Sequence, residues 1–210
     1  INFNDAAKQG YILPLVYRWD GQKYVPMEQP NIVLEPFEGY WVMKFKPCRF
    51  VVLPSIAMRN RNPSAVSRRA KKTNGWSLEL VAEPIPNDEK LKATVTLVVS
   101  ADAKADVEFS EDIPAPPCPP NAKLTASLMP VDGRAIPLMV DCRPQSLGRI
   151  VWNVNLRSAG SCRTVRLSWD GIGSIPNGWR LLLYEPSRSS PINMRIVNGC
   201  EVALDRSGET

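Results

Sequence analysis

The sequence predicts an all-β protein, an antiparallel β-sandwich preceded by a smaller N-terminal β module. Three observations support this fold class. Proline makes up 20 of 210 residues, about double the usual ~5%, and it disfavours long helices because it removes a backbone donor. Short runs that alternate apolar and polar residues recur along the chain, as half-buried strands do. Turn dipeptides such as Asp170-Gly171 separate these runs.

Two tripeptides repeat across the chain, Asn74-Gly75-Trp76 and Asn177-Gly178-Trp179. Asn-Gly favours a tight turn because both residues tolerate a positive φ. Each copy opens an alternating run that ends at a Glu-Pro pair, at Pro84 and at Pro186. We therefore expect each copy to begin a half-buried strand anchored by its tryptophan.

The first predicted unit is a small β module over residues 1–54. Its predicted strands are residues 11–19, 22–27, 32–34 and 49–53, with a further strand that carries Trp41, Met43 and Phe45 on one face. Residues 55–73 are predicted to be a linker, which is basic and lacks acidic residues. Its cations are Arg59, Arg61, Arg68, Arg69, Lys71 and Lys72. Clustered cations can contact phosphates, but no aromatic residue interleaves with them, so we do not expect nucleic-acid binding.

The larger predicted unit spans residues 74–210. Its predicted strands are residues 76–82, 93–100, 123–129, 136–142, 150–156, 164–169, 179–185, 192–197 and 201–205. The proline-rich run 113–120 must be extended. Eight or nine short strands at this spacing indicate a sandwich of the jelly-roll or Ig-like kind.

The chain contains no histidine, which removes Ser-His-Asp and Cys-His catalysis and histidine metal sites together. We therefore expect a protein that is not an enzyme and needs no cofactor. No apolar run approaches the ~20 residues that span a bilayer.

Five cysteines, at wide spacing and without a Cys-x-x-Cys pair, argue against a zinc or thioredoxin-like site. Wide spacing in a strand-rich chain suits disulfides of an exported protein, with buried thiols as the alternative. We predict at least one disulfide among the cysteines of the larger unit, in a pairing that the sequence leaves open: Cys118, Cys142, Cys162 and Cys200.

Two ligand classes remain open. The acidic stretch before the proline-rich run could hold calcium, which prefers several oxygen ligands, although its spacing does not match an EF-hand and a solvated acidic loop is the alternative. The calcium candidates are Asp102, Asp106, Glu108 and Asp112. Among the six tryptophans, five lie on apolar strand faces typical of a core. Trp19, beside Asp20-Gly21, is the candidate platform for a sugar ring.

The ordered motifs of the larger unit resemble β-sandwich modules near the C-termini of large secreted bacterial surface proteins. These motifs are Gly75-Trp76-x-Leu-x-Leu, the acidic stretch with its proline-rich run, Val140-Asp141-Cys142-Arg143, Val165-Arg-Leu-Ser-Trp169, Pro176-x-Gly-Trp and Asn193-Met194-Arg195. The first unit is similar to the module that commonly precedes them, through Pro36-Phe37-Glu38-Gly39-Tyr40-Trp41-Val42. The resemblance implies export to the cell surface and a non-catalytic structural or adhesive role, and it supplies no active site.

The resembled N-terminal module normally has a further strand before the position equivalent to residue 1. Ile1-Asn-Phe-Asn alternates apolar and polar residues, as a strand added to a neighbouring sheet would. We therefore predict self-association in which Ile1 and Phe3 complete the sheet of another copy, with a monomer that lacks this strand as the alternative. Together, these residues and the resemblance predict an extracellular structural or assembly module, such as a filament subunit, that contacts itself or neighbouring domains. The alternative is a carbohydrate-binding module of a secreted enzyme.

Overall fold

A computed structural model describes residues 2–21, 24–28, 32–51, 75–87, 91–104, 108, 111–118, 122–129, 136–158 and 162–204. Strands contain 47% of these residues and helices 6%, and within the second unit a two-stranded sheet packs on the core of a large sheet. The predicted all-β, sandwich-like fold class is therefore confirmed. The chain divides into two compact units, Ile1–Lys71 and Lys72–Thr210. The predicted basic linker, residues 55–73, lies outside the described residues.

The first unit is a three-stranded antiparallel sheet with one short helix. Its elements are α1 (Phe3–Lys8), β1 (Ile12–Trp19), β2 (Tyr24–Glu28) and β3 (Tyr40–Lys44). The strand order is β2-β1-β3, so the most apolar strand is central and paired on both edges. Buried side chains of this central strand form the core of the unit, namely Ile12, Leu13, Leu15, Val16 and Tyr17.

The N-terminal segment is helical, so the prediction that it forms a strand is wrong for Phe3. The Asn2 side chain caps α1, because its Oδ1 accepts a hydrogen bond of 2.9 Å from the Asp5 backbone N–H. Asp5 in the first turn and Lys8 in the last turn complement the helix dipole. Phe3 therefore belongs to α1, which packs against β1, and Ile1 lies outside the described residues.

Two predicted strands of the first unit are irregular instead. Residues 32–34 and 49–51 have no strand conformation, and residues 52–53 lie outside the described part. After 32–34, the Glu35 backbone N–H donates to the Tyr40 hydroxyl at 2.6 Å. This bond to a side chain connects the irregular segment to the first residue of β3 without strand pairing.

The second unit is built on one large sheet. Its elements are β4 (Gly75–Pro84), β5 (Ala93–Ser100), β6 (Ile113–Pro114), β7 (Leu124–Met129), β8 (Leu138–Pro144), β9 (Asn153–Ser158), β10 (Thr164–Asp170), a 3-10 helix (Ile172–Ser174), β11 (Leu182–Leu183), β12 (Ile192–Asn193) and β13 (Gly199–Ala203). Seven strands follow the order β13-β10-β4-β5-β8-β7-β9, and β6 pairs with β8. β9 and β13 are therefore the two edges of this sheet.

The sheet is antiparallel except at one junction. β5 and β8 run parallel, with Thr96 opposite Val140, whereas the sequence predicted antiparallel strands throughout. A parallel pair needs a long crossover connection, and residues 101–137 between these strands are long enough to provide it.

The core of the second unit lies on one face of the sheet. On β4 and β5 every second residue is buried, as period-2 alternation predicts. β7 lies against β4 and β5, so the sheet curls over its own apolar face. The hairpin β11–β12 forms a separate small sheet, and Leu183 and Ile192 of this hairpin pack on the same core.

Two strands predicted near the C-terminus are much shorter than expected. Of residues 179–185 only Leu182–Leu183 is a strand, and of residues 192–197 only Ile192–Asn193 is one. Leu182 pairs with Asn193, and the chain then turns through residues 194–196. The backbone just before β11 is held by the Arg195 side chain rather than by a neighbouring strand.

Candidate functional site

Asp112 is the most deeply buried of the acidic candidates, with 3% of its surface exposed. Its Oδ1 accepts a hydrogen bond from the Cys142 backbone N–H and its Oδ2 accepts one from the Glu108 backbone N–H, both at 2.7 Å. Asp112 directly precedes β6, so its carboxyl group extends the pairing with β8 beyond the N-terminal end of β6, from Val140 to Cys142. Both carboxyl oxygens therefore bind backbone N–H groups, which gives Asp112 a structural role.

The environment of Asp112 opposes its charge. Burial raises the pKa of Asp112 to about 6, the two backbone hydrogen bonds oppose that rise, and the negative charge of Asp141 adds to it. Since the folded protein holds the proton more tightly than the unfolded chain, this group favours folding most at low pH. Its contribution falls as the pH rises from about 4 to about 6.

Asp141 is also buried, and it is neutralised by a neighbour on the same strand. Arg143 Nε lies 2.9 Å from Asp141 Oδ1 and donates to Oδ2 at 3.0 Å. Between them, Cys142 is buried, and burial raises the pKa of its thiol to about 12, with a further rise from the Glu111 carboxyl to which the thiol is hydrogen-bonded. The Cys142 thiol is therefore neutral at physiological pH and lacks the thiolate character of a nucleophile.

The calcium candidates do not converge. Asp102 is exposed and its backbone N–H donates to Ser100 Oγ, while Glu108 pairs with Lys104. Within the described ranges, no three acidic or cysteine side chains come together as a metal-binding group. Asp106 lies outside those ranges. The remaining calcium candidate is Asp112, and both of its carboxyl oxygens already accept hydrogen bonds from backbone N–H groups.

The four disulfide candidates are dispersed over the second unit. No disulfide is present in the part of the chain that the structure describes, which includes all five cysteines. Cys200 lies opposite Leu167 on β10, five positions along the chain from Cys162. At ~3.3 Å per strand residue their Cα atoms are roughly 16 Å apart, whereas a disulfide requires less than ~7 Å. A Cys162–Cys200 bridge is therefore excluded in this fold, and the predicted disulfide stays a prediction for the other pairs.

The six tryptophans are all at least half-buried. Trp76 lies at the centre of a triad in which its ring centroid is 6.2 Å from that of Trp152 and 5.4 Å from that of Trp179, both edge-on. The two tryptophans of the repeated tripeptides therefore contact each other, which the sequence did not indicate. Trp169 is anchored separately, because its Nε1 donates to the carbonyl oxygens of Met194 and Val197, each at 3.0 Å.

Trp19, the sugar-platform candidate, belongs to an aromatic cluster on the first unit. Its ring lies 5.2 Å from that of Tyr24 at an interplanar angle of 62°. On the same strand, Tyr17 packs against Trp41 at 5.2 Å and 60°. A flat platform requires coplanar rings, whereas these rings are steeply inclined. The geometry is typical of aromatic packing within a core.

Arg195 makes several hydrogen bonds in the second unit, and the sequence indicated it only as part of the motif Asn193-Met194-Arg195. Its guanidinium donates to three carbonyl oxygens, those of Trp179 at 3.1 Å, Ile175 at 3.1 Å and Pro176 at 2.8 Å. The planar fork of an arginine can satisfy several acceptors at fixed angles. The backbone around Asn177-Gly178 is thereby fixed without strand pairing. The one indication of Arg195 in the sequence is the motif Asn193-Met194-Arg195, which follows Pro191.

One exposed turn of the first unit has an unusual backbone. Phe37 has a positive φ of 66° and a fully exposed side chain, an uncommon conformation for a bulky residue. Glu38 beside it lies 3.6 Å from Arg18 and accepts a hydrogen bond from the Tyr40 hydroxyl. Together with the bond from the Glu35 backbone N–H to the Tyr40 hydroxyl, these contacts hold the turn on both sides of Phe37.

Comparisons with family models, with curated proteins and with solved structures find no match for this chain. In the described residues no helix is long and apolar enough to cross a membrane. The site therefore has to be interpreted from its own geometry.

Proposed function

We propose that the chain is a non-catalytic structural and assembly module of an extracellular, cell-surface protein, of the bacterial kind that its motifs resemble. One observation carries this proposal. The buried polar residues of the described part are Ser100, Asp112 and Asp141. Ser100 and Asp112 accept hydrogen bonds from backbone N–H groups, and Asp141 forms an ion pair with Arg143. Arg195 is used in the same way. These buried polar groups therefore stabilise the fold, as expected of a module with a structural role.

Two further features support the structural role. The absence of histidine from the whole chain removes the most common general base and metal ligand. The large sheet also ends in two edge strands, and such edges provide backbone groups for pairing with another chain. Self-association, as in a filament or a paired surface structure, is therefore the assembly mode that we propose. Partners within a larger surface protein would use the same edges.

Carbohydrate binding is the second candidate, and the observation that favours it is the partly exposed aromatic face of the first unit. Trp19, Tyr24 and Trp41 are all half-buried rather than fully enclosed. Their inclined rings weigh against this candidate, because sugar rings stack on flat aromatic faces. We therefore keep carbohydrate binding as the alternative that an experiment must address.

Both candidates can be tested on the same purified protein. Sedimentation velocity over a range of concentrations should reveal association, while titration with a panel of soluble polysaccharides should leave tryptophan fluorescence and heat unchanged. Saturable binding of a polysaccharide that Trp19→Ala abolishes and Trp179→Ala leaves intact would contradict the structural proposal and establish the alternative. Concentration-dependent assembly without such binding would support the structural role.

A further inference from the structure

The two edges of the large sheet are protected to different degrees. At β13, Arg188 Nη2 donates to the Glu201 carbonyl oxygen at 3.2 Å, and Arg188 Nε is held 3.2 Å from Glu185. A charged side chain placed over an edge is a common defence against pairing with another chain. β13 is therefore a guarded edge.

β9 has no such guard in the described structure. It pairs with β7 through all six of its residues, from Asn153 opposite Met129 to Ser158 opposite Leu124. No described residue hydrogen-bonds to the other side of β9. An unprotected strand of six residues is long enough to accept an additional strand.

The two faces of β9 differ in character. Val154 and Leu156 point toward the core and are partly buried against it. Asn153 and Arg157, on the opposite face, are exposed, and Asn155 between them is half-buried. An added strand would therefore have to place apolar residues next to Val154 and Leu156, and a hydrogen-bonding group beside Arg157.

β9 itself meets both requirements. In an antiparallel ladder, opposite residues either both point their backbone groups toward the partner strand or both point them away. When the same strand is on both sides, opposite positions must therefore be an even number of residues apart. The register centred on Asn155 places Asn153 of one copy opposite Arg157 of the other, and Val154 opposite Leu156. Asn can accept a hydrogen bond from a guanidinium, and the apolar face becomes continuous across both copies.

Like charges disfavour one of the neighbouring registers. A register centred on Arg157 would place two guanidinium groups opposite each other, which is unfavourable. The register centred on Asn155 keeps the two Arg157 side chains apart, each of them opposite Asn153 of the other copy.

We propose that the outer edge of β9 is a self-association site that pairs antiparallel with β9 of a second copy, in the register centred on Asn155. The contact uses the same patch on both copies, so it closes as a two-fold dimer and joins two large sheets into one. This inference rests on the assembly role proposed above and names its surface. It replaces the N-terminal segment, which is helical at Phe3, as the link between copies.

A matched pair of charge substitutions at Asn153 tests the register. Asn153 is exposed and lies opposite the uncharged Met129 within its own sheet, so its charge has little effect on the monomer. In the dimer, Asn153→Asp would face Arg157 twice and Asn153→Lys would repel it twice. The dissociation constant from sedimentation equilibrium should fall about 2- to 30-fold for Asn153→Asp and rise by a similar factor for Asn153→Lys. Combining Asn153→Lys with Arg157→Asp should restore the affinity.

Controls separate the edge from general charge effects. Ala203→Asp and Ala203→Lys place the same two charges at an exposed position of the guarded strand β13, and they should leave the dissociation constant unchanged. Circular dichroism and thermal unfolding would confirm that each variant is folded. An assembling protein whose affinity responds equally to both Asn153 substitutions, or to neither, would overturn the β9 interface and leave the proposed function standing. A wild-type protein that is monomeric at every concentration would overturn both the interface and the assembly role.

Discussion

The two Asn-Gly-Trp segments share three residues and a following alternation, yet they form different structures. After the first, β4 continues as a strand of ten residues, Gly75–Pro84, and pairs on both edges, with β5 and with β10. After the second, only Leu182–Leu183 is a strand. The first tryptophan is 4% exposed and the second is half-buried. The same local signal therefore led to a central strand in one place and to a covering hairpin in the other.

The difference comes from what satisfies the backbone. Trp76 lies opposite Val99 on β5, so its neighbours take part in a regular ladder. The Trp179 carbonyl oxygen instead accepts from Arg195, as do the carbonyl oxygens of two residues before the turn. An alternating sequence permits a strand, but a strand forms only where a neighbouring strand is available to pair. The shared tryptophans still serve one purpose, because they pack together at 5.4 Å.

The largest expected difference between the segments is in the cost of removing their tryptophans. Trp76→Ala would leave a cavity in the most buried part of the triad and should lower the free energy of unfolding by about 3–5 kcal/mol. Trp179→Ala removes a half-buried ring and should cost about 1–2 kcal/mol. Urea denaturation of the two variants and the wild type would measure both. Equal losses would show that the two segments contribute alike to the core.

The glycines of the two segments should differ almost as much. A Cβ on Gly75 would overlap the Val99 carbonyl oxygen, whereas a Cβ on Gly178 would meet no atom within 4 Å. Because the first contact is with backbone, Gly75→Ala has to displace β4 from β5 and should cost about 3 kcal/mol or more. Gly178→Ala should change stability by less than about 0.5 kcal/mol. A tolerated Gly75→Ala, with an unchanged thermal midpoint, would contradict this close approach of β4 and β5.

Much of the large sheet was predictable because its strands alternate cleanly. Ala93–Ser100 was predicted with the bounds that β5 has, and residues 164–169 became β10 with one added residue. The parallel pairing of β5 with β8 could not be predicted, because it depends on where a long crossover returns. The N-terminal helix was missed because Ile1-Asn-Phe-Asn alternates like a strand, while Asn2 acts as a helix cap through a bond that only the folded backbone defines.

The candidate site was less predictable than the fold. Asp112 was one of the calcium candidates, but its carboxyl oxygens accept hydrogen bonds from the backbone N–H groups of Cys142, 30 residues away, and of Glu108. The sequence carries the residue types and not these long-range partners. Arg195 illustrates the same limit, since its three carbonyl acceptors lie 16 to 20 residues earlier in the chain.

The remaining prediction concerns Arg195, the residue that makes the second segment different. Arg195→Ala would leave three carbonyl oxygens without their charged donor and should lower the free energy of unfolding by about 2 kcal/mol, since hydrogen bonds to charged groups contribute about 1.5–3 kcal/mol. Arg195→Lys keeps the charge but loses the planar fork, so it should recover only part of that loss. Urea denaturation would again provide the measurement.

Arg188 provides the matched control for Arg195, because it is an exposed arginine of the same unit that donates to one carbonyl oxygen and pairs with Glu185. Arg188→Ala should cost no more than about 1 kcal/mol, as is usual for an exposed ion pair. If the Arg195→Ala loss matched that of Arg188→Ala, the guanidinium could not be what fixes the second segment. If Arg195→Lys had the stability of the wild type, the positive charge alone would account for the stabilisation and the planar geometry of the guanidinium would not matter. A graded series, with alanine below lysine and lysine below arginine, is the result expected when a side chain replaces a missing strand.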